Sequence, residues 1–206
     1  MDTLKTLTQI FDEEGGDKGS HFTHENSDTN LAHNYTKFYE EIMSEYRDKN
    51  FNLLEIGLWC PYFPGASVRA WKRYFTNFNY FGVDIVDCTH MNDGDRIKID
   101  ILDQKNESQI ETYIKDKPDF EFIIDDGCHE EDGITISLGS LFPKLKSGGF
   151  YIIEDLHVVD KTNLYKLREK NFSSPYISQE KCQFINKNLQ NCVFLNEDKL
   201  CVLTKK

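Results

Sequence analysis

No apolar run in the 206 residues approaches the roughly 20 that a membrane-spanning helix needs. Positive charge is also scarce: 24 Lys and Arg stand against 35 Asp and Glu, a formal charge of −11 at pH 7. A nucleic-acid or anionic-membrane surface needs a basic face to replace counterions, so neither partner is expected. An acidic pocket that holds a cation fits the balance better. Paired cysteines are missing as well. Cys60, Cys88, Cys128, Cys182, Cys192 and Cys201 stand singly with no C-x-x-C, the pattern of free thiols in a reducing compartment. Cys192 and Cys201 flank a short link and could face each other, but two small strand residues explain them better. Met1 to Asp12 has no basic stretch leading into an apolar block, so no secretory signal is expected. The sequons at Asn34, Asn106 and Asn171 then carry no meaning, and the expected compartment is the cytosol. A Gly-x-Gly-x-x-Gly loop is absent, which speaks against a nicotinamide-dependent dehydrogenase.

What is present suits a globular enzyme. The chain is 39% hydrophobic and 29% charged, with 15 Phe and 10 Tyr for a core. At this length about 70% of the unfolded surface is buried on folding, without disulfide or metal staples. There is no internal repeat and no Pro- or Ser-rich linker. Residues 1–50 read as an N-terminal lid or helical segment. Asp12 to Asn30 is rich in turn formers, and a helix is predicted from His33 to about Lys49 with Tyr35, Phe38, Tyr39, Ile42 and Tyr46 on one face. Residues 51–206 alternate strand and helix. Strands are predicted at Leu53–Ile56, Tyr80–Ile85, Arg96–Ile101, Phe120–Ile124 and Phe150–Ile153, with helices at Ser67–Phe75, Ser108–Lys115 and Ile134–Leu145. Ser147-Gly148-Gly149 reads as a helix stop. A helix over Ser178–Asn188 precedes Cys192–Leu195 and Leu200–Leu203, joined by a four-residue link as an antiparallel hairpin. The pattern is a doubly wound, Rossmann-like α/β sheet, mostly parallel and closed by a C-terminal antiparallel hairpin.

Ligands of an open α/β sheet bind at the carboxyl ends of its strands. Glu55, Asp84, Asp100, Asp125, Asp126, His129, Glu154, Asp155 and His157 all fall there, and folding alone does not account for such a rim. Gly65-Ala66-Ser67 heads a helix, where small residues let a ligand approach the backbone. Asp84, 19 residues beyond Gly65, sits where an acid accepts hydrogen bonds from ribose hydroxyls; the alternative is a strand-end acid capping its loop. Asp126, Glu154 and Asp155 form a hard oxygen cluster suited to Mg²⁺, since close unpaired carboxylates would repel one another. Asp125 reads equally well as a solvated loop residue. His21-x-x-His24 has too few partners for a metal site.

These stretches resemble a known family. Asp17-Lys18-Gly19-Ser20, His33-Asn34-Tyr35, Leu54-Glu55-Ile56-Gly57, Pro64-Gly65-Ala66-Ser67, Tyr80-Phe81-Gly82-Val83-Asp84, Ile123-Ile124-Asp125-Asp126-Gly127-Cys128-His129 and Tyr151-Ile152-Ile153-Glu154-Asp155-Leu156-His157 are similar to class I S-adenosylmethionine-dependent methyltransferases. The likeness is strongest to the metal-dependent macrocin and mycinamicin sugar O-methyltransferases. It implies that Asp126, Glu154 and Asp155 hold Mg²⁺ and that His129 is the general base. It implies that Glu55, Gly57, Asp84 and Asp100 surround S-adenosylmethionine beneath a segment starting near Asp17. Lys18, Ser67 and Asp125 complete the candidate cofactor set. Cys128 stands where the family has Ser, and the loop from Leu58 to Pro64 lacks the usual glycines. The implied acceptor is a sugar or nucleotide sugar; a catechol or phosphoramidate acceptor and a non-catalytic cofactor-binding module are the alternatives, and assembly into a homo-oligomer stays open.

Overall fold

The computed structural model describes residues 4–23, 29–59 and 64–206. His24 and Cys60, together with residues 61–63 of the glycine-poor loop, lie outside them. The chain groups into two units, residues 1–51 with 58–79, and residues 52–57 with 80–206. Residues 58–79, which the sequence pattern puts with the sheet, thus group with the N-terminal segment.

In the first unit, α1 (Leu7–Glu14) starts at a capping box: Thr6 accepts from the Gln9 N–H, and the Gln9 side chain accepts from the Thr6 N–H. Two first-turn donors are satisfied locally, which is why a helix forms in a stretch whose apolar residues look scattered. α2 (Thr36–Met43) and a following 3-10 turn occupy the predicted His33–Lys49 segment. α3 (Ala66–Tyr74) begins after Gly65 in a left-handed conformation. Trp71 is fully buried, edge-on to Phe11 and Tyr39 and stacked with Phe75; such pairs add about 0.5–1.5 kcal/mol each beyond area burial. Outside this core, Arg69 and Arg73 pair with Glu14, and Arg73 also with Glu13.

In sequence order the strands are β1 (Phe51–Ile56), β2 (Phe78–Asp84), β3 (Ile97–Ile101), β4 (Phe120–Asp125), β5 (Leu145–Ile153), β6 (Leu189–Leu195) and β7 (Leu200–Lys205). They form one sheet in the order β3-β2-β1-β4-β5-β7-β6. β3 is parallel to β2, β4 to β1 and β5 to β4, while β7 runs antiparallel to both β5 and β6. The strand order reverses between β1 and β4, which opens a crevice at their carboxyl ends. The second unit also holds α4 (Glu107–Ile114), α5 (Glu131–Leu141), α6 (Thr162–Tyr165) and α7 (Gln179–Asn188). Its core joins Leu54, Ile56, Val83, Ile123, Ile153 and Leu203 of the strands to Ile110, Leu138 and Ile185 of the helices.

One boundary differs from the sequence reading. Helix α5 ends at Leu141, and Leu145 already belongs to β5. Ser147-Gly148-Gly149 is therefore an irregularity inside the strand: Gly148 is left-handed, and the β4–β5 register shifts between Phe120 and Phe122.

Candidate metal and cofactor site

Backbone hydrogen bonds just past the strand ends build the rim. Gly57 N–H donates to Val83 O, Asp126 N–H to Ile56 O, and Glu154 N–H to Asp125 O, each at 2.9 Å. These bonds set the residues that follow β1, β4 and β5 at one level. Gly57 has φ +85°, and a Cβ there would run into the Asp126 carbonyl. Only glycine allows β1 to turn this close to the loop after β4.

Three side chains converge at this level. Asp126, His129 and Asp155 offer ligand atoms that all lie within 4.8 Å of one another. His129 Nε2 is 3.8 Å from Asp126 Oδ1 and 3.7 Å from Asp155 Oδ2, and His157 Nδ1 is 3.9 Å from Asp155 Oδ1. His129 and Asp155 both have left-handed backbones, with φ 50° and 54°. Non-glycine residues pay for that conformation, and it persists where surroundings fix it for a purpose. Glu154 is buried and lies outside this trio, so the rim brings together two of the three expected metal carboxylates and the expected base. Half-buried carboxylates beside one imidazole suit a hard divalent cation.

On the other side of the crevice, Asp84 is 7% exposed and its Oδ1 accepts the Val86 N–H at 2.8 Å. Glu55 is fully buried and accepts the Tyr80 hydroxyl at 2.6 Å. Lys18 and Ser67 belong to the first unit, Lys18 being buried there and Ser67 standing in the first turn of α3.

The two remaining expected cofactor residues, Asp100 and Asp125, differ in their surroundings. The Asp100 carboxylate lies 3.6 Å from Lys117, because strand alternation turns it away from the face of its buried neighbour Ile99. Asp125 is inside the protein. Its carboxylate accepts Gln104 Nε2 at 2.7 Å, Ser137 Oγ at 2.5 Å and the Tyr151 hydroxyl at 3.3 Å. Burial raises its pKa to about 6, against these hydrogen bonds, which lower it. Gln104 and Ser137 lie in none of the motifs quoted from the sequence, and Tyr151 heads one of them without having been singled out.

No family model matches the chain. Over 127 residues, 60% of this chain, it is 33% identical to 8-demethyl-8-alpha-L-rhamnosyl tetracenomycin-C 2'-O-methyltransferase of Streptomyces olivaceus, the match spanning 33% of that protein. It is 33% identical over 129 residues to mycinamicin VI 2''-O-methyltransferase of Micromonospora griseorubida, covering 61% of this chain and 32% of the relative. Demethylmacrocin O-methyltransferase of Streptomyces fradiae matches at 34% identity over 127 residues, covering 60% and 32%. The matched stretch spans about a third of the length of these relatives. MycE methyltransferase of the mycinamycin pathway, solved with Mg and SAH, superposes with a TM-score of 0.76 at 21% identity, over 98% of this chain and 55% of MycE. The same enzyme solved with Mg, SAH and mycinamycin VI gives 0.72, over 98% and 54%. The chain has the Rossmann-like fold of the class I methyltransferases. Within that class, its curated relatives are sugar O-methyltransferases of natural-product pathways.

Proposed function

We propose that the chain is an S-adenosylmethionine- and Mg²⁺-dependent O-methyltransferase acting on a sugar hydroxyl, carried by a nucleotide sugar, a glycan or a natural product. One observation carries the reading: Asp126, His129 and Asp155 converge within 4.8 Å at the carboxyl ends of β4 and β5, beside the crevice where the strand order reverses. The relatives, all O-methyltransferases by name and one of them of a rhamnosyl compound, support it. Among the described residues no helix is long and apolar enough to cross a membrane; we place the enzyme in the cytosol, working on small molecules without nucleic-acid or membrane partners.

When bound, Mg²⁺ would supply Lewis acidity that lowers the pKa of the acceptor hydroxyl, and S-adenosylmethionine an electrophilic methyl group. Asp126 and Asp155, with Glu154 beside them, would hold the ion. His129 Nε2 takes the hydroxyl proton as the oxygen attacks, the role of a general base. Asp84 would accept hydrogen bonds from the cofactor ribose. Holding donor and acceptor side by side removes much of the entropic barrier to their meeting.

The test is a mass-spectrometric screen of sugars and nucleotide sugars for gain of one methyl group, run with Mg²⁺ and with EDTA. Methylation that stops in chelator and returns with Mg²⁺ is expected. Undiminished turnover in EDTA would sink the metal-dependent reading.

A further inference from the structure

Gln104 lies between β3 and α4, over twenty residues from either metal-bearing loop, and is 5% exposed. Both ends of its carboxamide are engaged. Nε2 donates to Asp125 Oδ1 at 2.7 Å and to Ser137 Oγ at 3.2 Å, while Oε1 accepts the Cys128 backbone N–H at 2.7 Å. Its partners bracket Asp126: Asp125 precedes that residue, and Cys128 leads directly into the left-handed turn at His129. The fit is close, since a Cβ on Gly127 would collide with Gln104 Oε1 and one on Gly133 would press on its Cγ. A buried amide serving a carboxylate and a loop N–H together ties the two rigidly, because either partner left alone would keep an unpaid desolvation cost.

We propose that Gln104 is a positioning residue. It clamps the loop carrying Asp126 and His129 to the buried Asp125 carboxylate, and so fixes the turn from which both side chains converge on the ion. The inference rests on the metal-dependent reading above. The plainer alternative makes Gln104 one of several donors that merely satisfy Asp125. Ser137 separates the two: its Oγ donates to the same carboxylate at 2.5 Å and accepts Gln104 Nε2 at 3.2 Å, but its remaining bonds go to Gly133 and Ile134 within α5 and none reaches the loop backbone at Cys128.

The experiment compares wild type, Gln104→Met and Ser137→Ala in three measurements: Mn²⁺ affinity by electron paramagnetic resonance, S-adenosylhomocysteine affinity by calorimetry, and hydrogen exchange of the Cys128 amide. Removing an outer partner of metal ligands weakens metal binding about 10–100-fold. Gln104→Met should show that loss, together with faster exchange at Cys128 and unchanged S-adenosylhomocysteine affinity. Ser137→Ala should melt at a lower temperature yet bind Mn²⁺ like wild type. Should Gln104→Met not fold, Gln104→Glu, which keeps the acceptor for Cys128 and loses the donor to Asp125, is held to the same Mn²⁺ expectation. If wild type binds no Mn²⁺, the metal reading is what fails, and the Cys128 exchange rate alone then decides whether the clamp exists. Wild-type Mn²⁺ affinity and exchange in the Gln104 variants, or Mn²⁺ losses in both positions that merely follow the melting temperature, would overturn the proposal.

Discussion

The two sides of the rim are built on different physical terms. At the ends of β2 and β3 exposed apolar side chains stand among the acids: Ile85 is 69% exposed and Ile101 51%, beside Asp84, which caps its own loop. At the ends of β4 and β5 the surface is polar and tightly held, with two left-handed residues and a buried carboxylate network beneath. Apolar area binds flat, weakly polar groups with little demand on geometry. A small divalent cation demands fixed donors, and fixed donors need a rigid support. Under the proposed function, the contrast would assign nucleoside recognition to one side and hydroxyl activation to the other.

If the sides are separable, each can be broken alone. The largest effect is expected from Asp155→Ala: Mn²⁺ binding and Mg²⁺-dependent methylation should both be lost, by more than the roughly 10–100-fold typical of outer partners, while S-adenosylhomocysteine still binds in calorimetry. His129→Ala should lower kcat by about 10²–10⁴. Retained Mn²⁺ affinity in that variant would mark His129 as the base, and a parallel loss would make it a ligand. Asp84→Ala should weaken cofactor binding at least tenfold, since a charge-assisted contact is worth about 1.5–3 kcal/mol, with Mn²⁺ affinity intact; an unchanged cofactor affinity would remove Asp84 from the site. The smallest effect concerns Asp125. Its folded-state pKa of about 6 lies above that of an unfolded Asp, about 3.9, so the native state keeps a proton that the unfolded chain has released. The stabilisation from that proton is present at low pH and is lost as pH rises through 6. In chelator, wild type should therefore gain about 1 kcal/mol on Asp125→Asn between pH 7 and pH 5. A melting-temperature gap that does not change with pH would show that Asp125 does not titrate there.

Much of this was legible from residue order. Strand–helix alternation gave the sheet and its terminal hairpin, and acids stopping successive strands gave the rim, because a buried parallel strand reads as an apolar run that ends abruptly. What escaped had physical reasons. The capping box of Thr6 and Gln9 makes α1 a helix through two local hydrogen bonds, not through an apolar stripe. Ser147-Gly148-Gly149 carries the residues of a helix stop, yet a left-handed glycine serves a kinked strand equally well. Asp125 and Asp126 look alike in sequence, and alternation decides that one points inward to Ser137 and the other toward His129. Gln104 gave no sign, since its partners come from three separate elements.

The antiparallel finish has a consequence for biosynthesis. β7 lies between β5 and β6, and Cys201 and Val202 pair with Ile153 and Ile152, immediately before Glu154 and Asp155. The Leu156 N–H, just past those two acids, donates to Lys199 O at 2.9 Å. On the ribosome, β5 therefore emerges with one edge bare and waits for residues 199–205 before the segment after it can settle. At about 5–20 residues per second, that interval lasts several seconds. During it the nascent chain exposes an unpaired apolar strand, the surface on which edge-to-edge aggregation starts.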